Sequence, residues 1–151
     1  MPGASIADAL LNAFETNNRI NEYLIDNLPQ PGTLSHWTAK ATIRAIVAHI
    51  HNVRVMWLKA AEAKQIPEQL VRATATPTQA RKSLEASCEA RSAVIRRALH
   101  ADGRGKGFRP DVAGFFGYLI AHDAHHRGQI TMLARQVGHP LPEKAMFGMW
   151  E

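Results

Sequence analysis

The sequence has one cysteine, Cys88, so no intrachain disulfide can form and nothing marks the chain for an oxidising compartment. A cytoplasmic home is expected. No stretch approaches the roughly 18 apolar residues of a membrane span, and Met1 to Asn12 lack a basic region followed by an apolar core. Membrane insertion and export are therefore not expected. Period-two alternation bounded by hairpin turns is missing, as are internal repeats and low-complexity tracts. Acidic residues are the scarcer charge, 13 against 18 basic, a net 18 − 13 = +5. That excess is modest and scattered, with one concentration at Arg104, Lys106 and Arg109 in a glycine-rich stretch. Such a stretch reads as a solvated loop before it reads as a nucleic-acid interface, so nucleic acid is not an expected partner.

What is present is an ordinary globular composition, 46% apolar and 21% charged over 151 residues, enough to bury a core without staples. One domain over residues 1–151 is the expectation. Apolar residues recur at helical spacing in Ile6, Leu10, Ala13, Ile20 and Leu24, and Pro29, Pro31 and Gly32 end that segment. A second segment starts at Thr42 as N-cap and runs through Ile43, Ile46, Ile50, Val53 and Trp57. Thr76-Pro77-Thr78-Gln79 reads as a capping box with proline in the first turn, opening a third segment with Leu84, Cys88, Ile95 and Leu99 on one face. Gly103, Gly105 and Gly107 close it. The fourth starts near Asp111, carries Phe115, Leu119, Ile130, Leu133 and Val137, and stops at Gly138 and Pro140. Four amphipathic helices hide their stripes by packing around one core, so the fold class is all α, a four-helix bundle.

Eight histidines are present, three of them within residues 122–126. At 100° per residue His126 lies about 40° around the helix from His122 and one turn along it, so both imidazoles reach one point. Both fall on or beside the apolar stripe, whereas His125 lies about 105° from its centre and reads as a boundary residue. Two imidazoles leave a divalent ion short of the three protein ligands of a typical catalytic site. The third comes from His49 or His51, about 160° apart. His49 continues the Ile46, Val53, Met56 row and is the choice, although both lie near the stripe's margins and geometry separates them poorly.

The run His122-Asp123-Ala124-His125-His126-Arg127-Gly128-Gln129-Ile130 closely resembles the HxxxHRGQ helix of the DinB-like (YfiT-like) family. Residues 42–50, ending in Ala48-His49-Ile50 and followed by Trp57-Leu58, resemble that family's second helix, in which an alanine-histidine pair carries a metal ligand. His49 matches the ligand position and His51 does not. The resemblance spans nearly the whole chain. It implies an up-down-down-up bundle, usually a homodimer, with one divalent ion, zinc or nickel before iron or manganese, on His49, His122 and His126. It also implies a small-molecule substrate and, in some members, thiol-dependent transfer with a low-molecular-weight thiol as cosubstrate.

Three imidazoles leave coordination positions open for water, which suits a hydrolase, or for a thiolate, which suits a transferase. Asn17, Arg91 and Gln129 are polar residues placed to support a ligand or meet a substrate; Arg91 would suit an anionic group. Cys88 is read as a small hydrophobe and left out of the site. His122 to His126 also reads HDxxH, one methylene short of the HExxH of zinc proteases, but Asp123 reaches less far and no strand is predicted to receive a peptide. A metal-stapled bundle without activity and a nucleic-acid-binding stress protein are the non-enzymatic alternatives. Finally, Ala113, Gly117, Ala121, Ala124 and Gly128 form a row of small residues, expected to pack on a neighbouring helix of this chain or of a second subunit.

Overall fold

The computed structural model describes residues 5–28, 42–108 and 111–149. Among them lie α1 (Ile6–Asn27), α2 (Ile43–Ala60), α3 (Pro77–His100), α4 (Val112–Gln136) and a short α5 (Glu143–Gly148), with no strand. None of these helices is long and apolar enough to cross a membrane. Pro29, Pro31, Gly32 and Arg109 lie outside the described residues.

Each long helix begins where a side chain accepts from an otherwise orphaned backbone N–H. Ser5 accepts from Asp8 at 3.1 Å, Thr42 from Ala45 at 3.4 Å and Asp111 from Gly114 at 2.8 Å. The expected capping box is complete: Thr76 accepts from the Gln79 N–H at 3.2 Å, and the Gln79 side chain accepts from the Thr76 N–H at 3.0 Å. Gly103 and Gly138 turn the chain after α3 and α4 with φ of 74° and 82°, the left-handed conformation that glycine adopts without steric cost.

The contacts fix the directions of the four helices. Phe14 of α1 lies against Phe116 of α4 and, further along both helices, Asn21 meets Asp123, so α1 and α4 run parallel. His49 and Trp57 of α2 meet His126 and Phe115 of α4 in reverse order, so α2 and α4 are antiparallel. His51 and Arg54 of α2 lie beside Ser83, Leu84 and Arg91 of α3, making that pair parallel. Arg81 at the start of α3 pairs with Glu22 and Asp26 near the end of α1. The bundle is therefore up-down-down-up, with α1 and α2 on a diagonal.

Its core is two apolar clusters and not one. Phe14, Leu58, Ile95, Phe115 and Leu119 are members of the first; Leu24, Val47, Ile50, Leu84 and Ile130 are members of the second. Buried polar residues, Asn17, Asn18, Asn21, Arg54 and Asp123, lie between them. That layer displaces the expected stripe of α1. Leu11, Phe14, Leu24 and Ile25 are buried with the asparagines, whereas Ile6 is 82% exposed and Ala13 is exposed. A stripe traced through apolar residues alone slides round the helix when asparagines hold the buried face.

The row of small residues on α4 is exposed along its length, and a Cβ at Gly117 meets nothing within 4 Å. Among the described residues no helix covers it, although Gly128 lies at the edge of a pocket shared with Ile20 and Met146. Gly117→Leu is accordingly expected to leave the monomer intact and to raise its stability by roughly 0.5–1 kcal/mol through helix propensity. Urea unfolding at low protein concentration reads this, and a loss of stability would contradict the open environment.

Candidate metal centre

The antiparallel crossing of α2 and α4 sets His49 opposite His122 and His126, all three half-buried. One ring nitrogen from each lies within 4.8 Å of the other two. Ring centroids are 5.3 Å apart for His49 and His122, 4.7 Å for His49 and His126, and 4.5 Å for His122 and His126. The Nε2 atoms of His49 and His122 are 3.4 Å apart. Two imidazoles on a tetrahedral ion, with bonds of about 2.0–2.1 Å, hold their nitrogens about 3.4 Å apart, so this pair already has ligand spacing.

The outward nitrogens sort the tautomers. Nδ1 of His126 is 2.7 Å from Oε1 of Gln129, an acceptor only, so Nδ1 carries the proton and Nε2 keeps its lone pair. Nδ1 of His122 faces Oδ1 of Asp123 at 3.4 Å, a longer contact with the same sense. Such partners hold a ligand ring in one tautomer and orientation. His49 differs, because its Nδ1 faces the guanidinium of Arg72 at 3.2 Å. The donor set, three nitrogens of which those of His122 and His126 have an acceptor behind the ring, could hold one divalent ion.

Behind the ligands lies the polar layer. Arg54 of α2 donates to Asp123 of α4 at 2.6 Å, to Asn18 at 2.6 Å and to the Leu84 carbonyl at 3.3 Å. Both Arg54 and Asp123 are enclosed. Asn17 and Asn21 donate to the same Asp123 oxygen at 2.8 and 2.9 Å and accept from Arg127 at 2.7 Å each. Burial alone would raise the Asp123 pKa; the Arg54 charge and the bonds from His122, Arg54 and Asn21 reverse that and hold it far below the usual carboxylate range.

Of the supporting residues expected from sequence, Gln129 sits on a ligand. Asn17 reaches the ligands one step removed, through Asp123. Arg91 is not brought to the histidines: it is enclosed, donates to the Arg54 carbonyl at 2.9 Å and lies against Phe108 and Phe115. Burial, then Arg54, pushes its pKa down to about 9. In this position its guanidinium has no surface to offer an incoming anion.

His51 turns the other way, its Nε2 2.8 Å from the Glu68 carbonyl, and His125 is exposed. Cys88 is buried, and burial pushes its thiol pKa up, in keeping with a small hydrophobe. The HDxxH reading is overturned, because Asp123 points into the protein and is bound to Arg54, so it cannot serve as a base at the ion. In the Arg104 to Arg109 loop, Lys106 pairs with Glu62. Sequence reasoning missed Arg54, Asn18, Asn21, Arg72 and Arg127. Arg54 and Asp123 did leave a signal: each interrupts an apolar row at i+4, after Ile50 and after Leu119, with opposite charge.

A model of the DinB family matches residues 4–147. No curated protein and no solved structure matches the chain.

Two outcomes follow from this geometry. Asp123→Ala should cost about 3–5 kcal/mol in urea unfolding, because Arg54 is left buried without its counter-charge. The double substitution Arg54→Met, Asp123→Leu should cost less than that single one; a single-variant loss under about 1 kcal/mol would deny the pair its importance. The second outcome concerns pH. Burial, then His126, His122 and Arg72, lowers the His49 pKa below the ordinary 6.5. Burial lowers that of His126 as well, Gln129 opposing and His122 and His125 adding to it. Since the folded values lie below the unfolded one, proton uptake opposes the ligand form only as pH falls beneath about 6.5. Zinc affinity, read by chelator competition, should be level from pH 7 to 8 and fall below 6.5; a steep rise between 7 and 8 would contradict the assigned direction.

Proposed function

The chain belongs to the DinB family, and from that premise we propose that it is a metal-dependent enzyme acting on a small molecule, with zinc or nickel on His49, His122 and His126. The observation that carries the reading is the convergence of three imidazoles from two helices, a cluster that no carboxylate joins among the described residues. A structural staple would need four closed ligands, whereas three leave room for a reactant.

Between transfer and hydrolysis, the environment of Asp123 favours thiol-dependent transfer. A metal-bound water can ionise without a protein base, but general-base help to a hydrolysis could not come from Asp123, which is held ionised and turned inward by Arg54, Asn17 and Asn21. A divalent ion supplies the charge that keeps a low-molecular-weight thiol as its thiolate at neutral pH, so no protein base is required. The chain's own residues hold the frame. Gln129 keeps His126 in the Nδ1-protonated tautomer, and Asp123, fixed by Arg54, does the same for His122.

A cytoplasmic location suits the single buried thiol of Cys88. A homodimer suits the exposed row of small residues on α4, and in that case Gly117→Leu lowers the dimer fraction in sedimentation; an unchanged fraction removes the row from the contact.

The direct test is metal content of the full chain purified without an affinity tag. About one equivalent is expected, lost on substitution of His49, His122 or His126 by alanine and kept in His51→Ala and His125→Ala. Wild-type protein that carries no metal and binds none tightly would remove the enzymatic reading at its centre.

A further inference from the structure

The connection between α2 and α3 is tied down around one residue. Three side chains of α2 bind its backbone: His51 meets the Glu68 carbonyl at 2.8 Å, Asn52 brackets Leu70 with bonds of 2.9 and 2.8 Å, and Arg44 donates to the Ala73 carbonyl at 2.5 Å. Between Leu70 and Ala73 stands Arg72, exposed, its guanidinium 3.2 Å from Nδ1 of His49. Among the described residues no carboxylate pairs with it. The segment is thus fastened on both sides of Arg72 to the helix that carries His49.

The contact between Arg72 and His49 is compatible with only one state of the ring. Nε2 of His49 is the atom turned toward His122. A neutral imidazole that gives the Nε2 lone pair to an ion carries its proton on Nδ1 and is a donor there. A guanidinium is also a donor only, so the two cannot bond. With the ion bound, Arg72 would stand beside it with donors that only solvent or an incoming ligand can fill.

The charge balance points the same way. Three neutral imidazoles do not offset a divalent ion, and the carboxylate nearest the ligands, Asp123, is engaged by Arg54. Ion and Arg72 together would form a positive pair with no acid between them among the described residues. Resting on the metal reading above, we propose that this site takes a ligand bearing an oxyanion, a carboxylate or a phosphate, and that Arg72 binds that group against the open side of the ion. Planar guanidinium groups match both anions with paired hydrogen bonds, which makes arginine the suited residue.

The test uses the full chain loaded with Co²⁺, whose visible spectrum reports ligands entering its coordination sphere. Acetate, inorganic phosphate and neutral imidazole are the probes. Wild-type protein is expected to bind acetate or phosphate about tenfold more tightly than Arg72→Gln does, while both bind imidazole alike and hold Co²⁺ equally. Arg72→Lys should retain part of the anion affinity, and whichever anion loses more identifies the group preferred. Equal anion affinity in wild type and Arg72→Gln overturns the assignment, as does a wild type that binds neither anion. Failure to bind Co²⁺ at all overturns the metal reading first and this inference with it, so the two failures are told apart by the first titration.

Discussion

The arrangement depends on one buried ion pair. Arg54 and Asp123 meet at 2.6 Å in the layer that separates the two apolar clusters. Taking both charges out of water costs several kcal/mol per ion, which their attraction offsets only if the remaining hydrogen-bonding groups are also met. Asn17, Asn18 and Asn21 meet most of them, and the Phe14 ring lies 5.3 Å from the guanidinium. A pair so surrounded contributes less to stability than to uniqueness. It ties α1, α2 and α4 at one level, and a shift of one helix by a turn would strand a charge in an apolar cluster.

That level is also the level of the histidines. Asp123 follows His122 in sequence, so the residue that meets Arg54 also faces the His122 ring, and the ion pair settles where that ring points. His126 stands one turn further on, with Gln129 as its partner. His49 is five residues before Arg54, so the helix that supplies the guanidinium supplies the third ligand. The chemistry of the interior and the geometry of the site are two faces of one register.

This explains which parts were legible in the sequence. Caps and stops have local chemical signatures, and Thr42, the Thr76–Gln79 box, Asp111, Gly103 and Gly138 stand where those signatures put them. The i, i+4 histidines of α4 were legible for the same reason, since helical spacing alone brings them together. What escaped depends on partners distant in sequence. Asn17 was placed on the buried face of α1, but the rest of that face was misjudged because Asn18 and Asn21 carry no apolar signal, and their burial makes sense only once Arg54, Asp123 and Arg127 are in place. Arg91 looked like an anion binder from its helix face, but it is enclosed by Phe108 and Phe115, one from a loop and one from another helix. Arg72 has no periodicity to betray it. Helix α5, at six residues, is too short for a hydrophobic pattern to register.

The same electrostatics bear on which ions the centre can hold. Arg72, Arg127 and the Arg54–Asp123 pair give an incoming cation no net attraction, since the one acid in the group is already neutralised. Affinity must therefore come from imidazole lone pairs and not from charge. Magnesium and calcium need oxygen ligands, carboxylates above all, and have no claim on such a donor set. Zinc, nickel, cobalt and iron bind imidazole strongly enough to overcome a locally positive environment. That environment persists once the ion is bound, because neutral ligands do not cancel it. A centre that would hold a metal through imidazole lone pairs alone would keep its positive charge, and this is the electrostatic ground on which an anionic ligand is proposed for it.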